Sequence, residues 1–356
     1  MPTTPRFSGK SLLWPLCLLL TPMQIFGQVT GGQHVFQFLS LSPSARITGL
    51  GGAQIAVQDD DLAFANANPA ALNPWMDNRL TFNHNFYLSD IQHGYFAYGK
   101  HLKKAGMTLH AGLRYMNYGD IERADELGTV NGKVKAAETA LTVGAGRRLT
   151  DRFTLGLNLN IANSTFDTYR ASALAADAGL MYVDTAKRVT AGLVLKNRGT
   201  ELSTYDGTRE ELPYDVQLGF SKRLKHMPFR LSVIAHHLHR WDIRYDDPNA
   251  AGDDVLLFGE EQNSDKGSPF VDNLFRHLIF NGEFLLGKAE GFRLRLGYNH
   301  LRKRELSVKN YRSLAGFSGG LGLKINRFRV DFGYAAYHLA GGTTHFSLST
   351  NLNEFR

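Results

Sequence analysis

From residue 79 almost to the C-terminus, apolar and polar positions alternate through one short segment after another. In 79–88 the residues Leu80, Phe82, His84, Phe86 and Leu88 fall on one face, and Thr81, Asn83, Asn85 and Tyr87 on the other. The clearest case is 153–161, where Phe153, Leu155, Leu157, Leu159 and Ile161 oppose Thr154, Gly156, Asn158 and Asn160. Successive side chains of a strand point to opposite faces, so a period of two with one apolar face predicts strands. The same pattern predicts strands at 91–102, 107–118, 137–149, 173–183, 189–197, 214–224, 229–239, 274–286, 292–301, 314–325, 328–338 and 343–352. That makes about fourteen strands of roughly ten residues, the length a tilted strand needs to cross a bilayer.

The links between them sharpen this reading. Tight turns are expected at 103–105, 150–151, 184–187, 225–227, 288–291 and 326, and longer links at 119–135, 167–172, 198–213, 240–273 and 302–313. Short and long alternate down the chain, apart from brief links after Leu88 and His338. A transmembrane barrel has this asymmetry, with short periplasmic turns and longer outer loops, whereas a soluble sandwich has no reason to show it. The fold class read from the pattern is all-β, an antiparallel transmembrane β-barrel of about fourteen strands.

Residues 31–74 break the pattern. They are rich in small residues, punctuated by Ser42-Pro43, Gly49, Gly51-Gly52, Asn68-Pro69 and Asn73-Pro74, and carry Asp59, Asp60 and Asp61 in a row. Residues 47–57 suggest a brief strand or hairpin turning at Gly51-Gly52. The aspartates followed by 62–67 suggest a short N-capped helix that ends at Pro69. Such a segment needs a wall to bury it, and the expectation is a lumen plug over 28–78, ahead of a barrel over 79–356. The aspartates either cap the helix or pair with lumen arginines such as Arg114 or Arg295. The sequence leaves both open.

Composition narrows the setting. A hydrophobic share of 43% with mean hydropathy −0.25 excludes a bundle of transmembrane helices but suits a barrel, whose lipid-facing residues are diluted by alternation. Residues 1–27 read as a signal peptide for Sec export, with Arg6 and Lys10 ahead of an apolar run that ends at Gly27. The single cysteine, Cys17, lies within it, so the mature chain is expected to hold neither a disulfide nor a thiolate zinc site. The net charge is +7, with basic residues scattered singly and in pairs, which suits anionic lipid and lipopolysaccharide better than nucleic acid.

No residue set demands catalysis, and no cofactor is expected. His236, His237 and His239 look like metal ligands, but in a strand His236 would face away from the other two, so no metal site is expected. In 240–273 the apolar run Val255, Leu256, Leu257, Phe258 lies among acidic residues, and an apolar patch on an outer loop is a candidate docking surface for a partner.

Asn68-Pro69-Ala70 ahead of an even-numbered barrel resembles the FadL-type outer-membrane proteins, whose N-terminal segment forms a hatch in the lumen. The longer stretch SPSARITGLGGAQIAVQDDDLAFANANPAAL resembles the opening of the PorV/PorQ family of the type IX secretion system. The flanking GGQHVFQFL and NFYLSDIQHGYFAYGK are most similar to its PorQ branch. The resemblance covers the N-terminal third, and the remainder only through barrel pattern. It implies a non-enzymatic outer-membrane component of the attachment complex that anchors the surface protein PorZ, together with the sortase-like PorU and the shuttle PorV. A FadL-like channel for hydrophobic small molecules is the alternative that the same fold allows.

Overall fold

The computed structural model describes residues 34–125, 127–244, 269–287, 290–306, 313–338 and 341–355. Its strands are β1 (Arg79–Phe86), β2 (Gln92–Leu102), β3 (Met107–Ala124), β4 (Val130–Arg148), β5 (Phe153–Phe166), β6 (Tyr169–Asp184) and β7 (Val189–Ser203). They continue through β8 (Asp215–Arg223), β9 (Phe229–Ala235), β10 (Leu278–Leu286), β11 (Phe292–Asn299), β12 (Phe317–Ile325), β13 (Phe328–His338) and β14 (Gly341–Asn351). Each pairs antiparallel with its sequence neighbours, and β1 pairs with β14 from Arg79↔Asn351 to Phe86↔Thr344, which closes the barrel. Closure removes every sheet edge, which lipid cannot satisfy.

The wall is inverted relative to a soluble protein. Leu155, Leu157, Leu159 and Ile161 of β5 face outward and are exposed, while Asn158 and Asn160 point into the lumen and are buried. Thr81, Asn83 and Asn85 of β1 are buried in the same way. An apolar belt outside and a polar lining inside is the arrangement that a bilayer requires of a barrel.

Several boundaries differ from the alternation. The expected link over 119–135 is mostly ladder: β3 and β4 stay paired from Asp120↔Lys135 to Ala124↔Val130. The expected link over 167–172 reduces to a tight turn at Asp167 and Thr168, with Asp167 at φ 54. Backbone pairing continues there past the membrane, where both faces are wet and the apolar alternation has no reason to persist. The strand expected over 274–286 begins only at Leu278, because Pro269–Arg276 forms a helix, α3, with Asp272 and Arg276 ion-paired at 2.8 Å across one turn.

The N-terminal segment runs down the lumen. Residues 47–57 are not a strand: α1 (Ala45–Gly49) is capped by Ser44, whose hydroxyl accepts from the Ile47 amide at 3.3 Å. It ends at Gly51 (φ 91) and Gly52 (φ 96), a left-handed backbone that glycine adopts without strain. The carbonyls of Leu50 and Gly51 bond instead to wall side chains, Asn281 Nδ2 at 3.2 Å and Asn299 Nδ2 at 3.4 Å. A second short helix, α2 (Ala63–Ala67), follows the three aspartates and ends before Pro69, as expected.

Candidate functional site

Short turns mark the periplasmic end of the barrel, and the link between β9 and β10 marks the outer mouth. Between these ends the N-terminal segment is held by two devices, one of shape and one of charge.

The device of shape is a row of inward-facing glycines. Gly146 of β4 pairs with Gly156 of β5, and Gly156 with Gly179 of β6. Into this trough settles Asn68-Pro69-Ala70. A Cβ built on Gly156 would overlap the Pro69 carbonyl carbon, and one on Gly179 would overlap the Asn68 side-chain oxygen. Asn68 is fully buried, its Oδ1 accepting from the Ala70 amide at 3.0 Å and its Nδ2 donating to the Ile55 carbonyl at 2.9 Å. The wall supplies further partners to backbone groups that water cannot reach. Ala45 N donates to Ser347 Oγ at 2.9 Å, Asn158 Nδ2 to Ala65 O at 3.1 Å, and Asn281 Nδ2 to Leu50 O at 3.2 Å.

The device of charge centres on Arg46, 1% exposed. Its guanidinium binds Glu283 of β10 through Nε and Nη2, both at 2.9 Å. It also reaches Asp59 at 2.8 Å and Asp61 at 3.3 Å within its own segment. Glu283 is shared with Arg295 of β11 at 2.9 Å and Arg230 of β9 at 3.0 Å, and Arg295 continues to Asp331 of β13. Asp60 pairs with Arg79 at 2.8 Å and lies 3.8 Å from Arg293.

The aspartates therefore pair, while the N-cap position of α2 falls to Leu62, which offers no capping side chain. Asp61 Oδ1 accepts from the Ala63 amide at 3.1 Å, ahead of α2. Of the two arginines suggested by sequence, Arg295 enters the network through Glu283, whereas Arg114 instead donates to the carbonyls of Phe38 and Leu39. The central partner, Arg46, gave no signal in the sequence beyond its own charge.

Burial would push the Asp59 carboxyl up, but Arg46, Arg293 and Arg230 outweigh it and hold it below the usual carboxylate range. Asp61 goes the other way: burial, with Asp59 and Asp331 nearby, raises it against the pull of Arg46.

The outer mouth is built differently. A cavity of about 470 Å³ is lined by His34, Tyr87, Lys196, Asp215, His236 and Arg302, among others. A second, of about 610 Å³, lies over Phe36, Tyr118, Phe166, Tyr169 and Tyr205 with Glu138 and Glu210 at its polar side. His236, His237 and His239 follow the end of β9. Burial pushes all three imidazoles down, and Asp215 partly opposes it for His237 and His239. The acidic stretch 240–273 with Val255, Leu256, Leu257 and Phe258 falls largely outside the described residues, those four wholly so.

Closed antiparallel strands, an apolar belt and a filled lumen define the class: this is an outer-membrane β-barrel of FadL-like fold. It is similar to the Pseudomonas putida toluene transporter TodX, with TM-score 0.51 and 10% identity over 87% of this chain and 96% of that one. A TodX deltaS2S3 mutant, described as a monoaromatic hydrocarbon channel, gives TM-score 0.51 at 12% identity, covering 87% and 99%. A Pseudomonas aeruginosa FadL homologue gives TM-score 0.49 at 12% identity. No family model and no curated protein matches the chain.

Proposed function

We propose that this chain is a non-enzymatic component of a type IX secretion attachment complex, with the organisation of the PorQ branch. Residues 1–27 serve as a Sec signal peptide, 28–78 as the plug and 79–356 as the barrel. The barrel holds the protein in the outer membrane, and its outer face anchors PorZ beside PorU and PorV, in contact with lipopolysaccharide. The supporting observation is the plug itself. The stretch that carries the family resemblance is the one locked by Arg46, Glu283 and the glycine row. A lumen closed by buried ion pairs turns function toward the outer mouth and its loops, with Val255, Leu256, Leu257 and Phe258 as the partner contact. The test is a pull-down from detergent-solubilised outer membrane. PorZ should co-purify with the intact chain and be lost when 246–265 is deleted, and recovery of no type IX component would sink the reading.

A second reading, a channel for hydrophobic small molecules, draws on two specific observations. One is the fold likeness to TodX, which favours this reading more than it favours a scaffold. The other is the aromatic cavity over Phe36, Tyr118 and Tyr205. Fold alone does not carry substrate, since one fold hosts many functions. Uptake of a monoaromatic hydrocarbon that disappears on deletion of the gene, with no PorZ in the pull-down, would favour the channel.

A further inference from the structure

The histidines after β9 do not behave as strand residues. The strand ends at Ala235, and His237 takes φ 55, a left-handed backbone uncommon for any side chain but glycine. That turn undoes the alternation and brings the Nδ1 atoms of His236 and His237 into direct contact. Asp215, the first residue of β8, completes the group. The ligand atoms of Asp215, His236 and His237 all lie within 4.8 Å of one another.

Three further features fit a ligand set rather than a chance cluster. First, the His236 ring is 4% exposed and neither of its nitrogens meets a carbonyl or carboxylate oxygen, since Nδ1 faces only the His237 ring and Nε2 has no partner. That is a costly condition for a buried imidazole, and either nitrogen would relieve it by binding an ion. Second, the carboxylate is held in place: Asp215 Oδ1 accepts from the His237 amide at 2.6 Å, and Oδ2 from Gln217 Nε2 at 2.6 Å. Third, His277 pins the backbone of His236, its Nδ1 at 2.7 Å from the His236 carbonyl oxygen, while its own carbonyl accepts from the His236 amide at 2.9 Å. Supports of this kind orient metal ligands from outside the coordination sphere.

We infer that Asp215, His236 and His237 form a binding site for a divalent metal ion of the zinc class at the outer mouth. Two imidazoles and one carboxylate suit zinc, with copper and nickel as competitors, and do not suit calcium or magnesium, which take oxygen ligands. A fourth position faces the cavity. His239 stands next to it, with Nδ1 unpartnered and 3.9 Å from Asp215 Oδ1, and water from the cavity is the other candidate. The ion would tie the start of β8 to the chain leaving β9.

The test uses the full mature chain in detergent, stripped with a chelator and dialysed against zinc alone, then cobalt alone. Zinc should remain at about one ion per chain, and cobalt should give the visible bands of a four-coordinate nitrogen and oxygen site. A His236→Ala/His237→Ala double variant should bind zinc more weakly by more than the roughly 10–100-fold that an outer-shell partner is worth. Its barrel is checked by resistance to unfolding in detergent on an unheated gel. No retained zinc in the native chain, or equal retention in the folded variant, overturns the site. Should the variant not fold, X-ray absorption on the zinc-loaded native chain decides. Two imidazole shells at about 2.0–2.1 Å support the site, and a shell of oxygen alone overturns it.

Discussion

The lower lumen and the outer mouth are lined with similar polar side chains put to different uses. Below, each carboxylate of the plug faces a guanidinium, and the Asn68-Pro69-Ala70 backbone lies against glycines with no room for a methyl group. Above, cavities of about 470 and 610 Å³ remain, and ring nitrogens of His236 and His239 lack partners. Buried carboxylates matched by guanidinium groups in a packed setting act as a lock, even though nitrogens of Arg79, Arg293 and Arg295 stay unpartnered there too, while ring nitrogens without partners beside a cavity have room for a ligand. The difference separates the part of the lumen that holds the plug from the part that can bind.

The strongest way to break this contrast is to remove one side of the central ion network. Arg46→Ala leaves Glu283 and Asp59 buried without their main partner and should cost about 3–5 kcal/mol of stability. Equilibrium unfolding in detergent micelles checks this, and a variant as stable as the native chain would reduce the network to decoration. Gly156→Val comes next. Its side chain must displace the Pro69 carbonyl, at a cost of about 1–3 kcal/mol or more. The release should appear as protease cleavage within 45–76 and as ion conductance above that of the native barrel. If the plug stays protected, the glycine row is not its seat.

Smaller effects sharpen the picture. Asp59→Asn should destabilise by roughly 2–3 kcal/mol, because its charge is favoured in the fold, whereas Asp61→Asn should cost less than about 1 kcal/mol, because burial already opposes its charge. The two therefore respond to acid with opposite signs. The folded value of Asp59 lies below its unfolded value of 3.8, so its contribution is present above that pH and is lost as pH falls through the depressed folded value. The folded value of Asp61 is raised, so its contribution is present at low pH and is lost as pH rises through that raised value. Melting of the two variants against pH separates them, and equal losses would contradict the division. Smallest of all, Tyr205→Ala in the outer cavity should change stability by about 0.5–1 kcal/mol while altering whatever binding the mouth performs. A large loss there would show the mouth to be as structural as the lower lumen.

The wall was legible because its signal is local. Period-two alternation in β5 places Leu157 outside and Asn158 inside whatever the rest of the chain does, and closure follows from the need to satisfy every edge in lipid. The Asp59–Asp61 run and Asn68-Pro69 likewise marked the bounds of a short helix, though its N-cap position is Leu62 and not an aspartate. The local signal failed where a neighbour decided the outcome. Residues 47–57 have a sequence that permits a strand or hairpin, but they form the end of a short helix capped by Ser44, a turn at Gly51-Gly52 and an irregular stretch, with the carbonyls of Leu50 and Gly51 bonded to Asn281 and Asn299 of the wall. His236 and His237 alternate in the sequence and converge in space, because one left-handed residue turns the chain toward Asp215.

The sequence by itself determined the strands of the wall and their lipid-facing and lumen-facing sides, since these depend on neighbours one or two residues away, while two of the expected long links proved to be ladder and a tight turn. Only the tertiary structure decided which charges meet. Arg46 and Glu283 are 237 residues apart in the chain, and nothing in their local surroundings selects one for the other. What selects them is the closure of fourteen strands around the segment, which brings Glu283 of β10, with Arg230 of β9 and Arg295 of β11, to Arg46 inside the lumen and leaves a buried guanidinium no water to turn to.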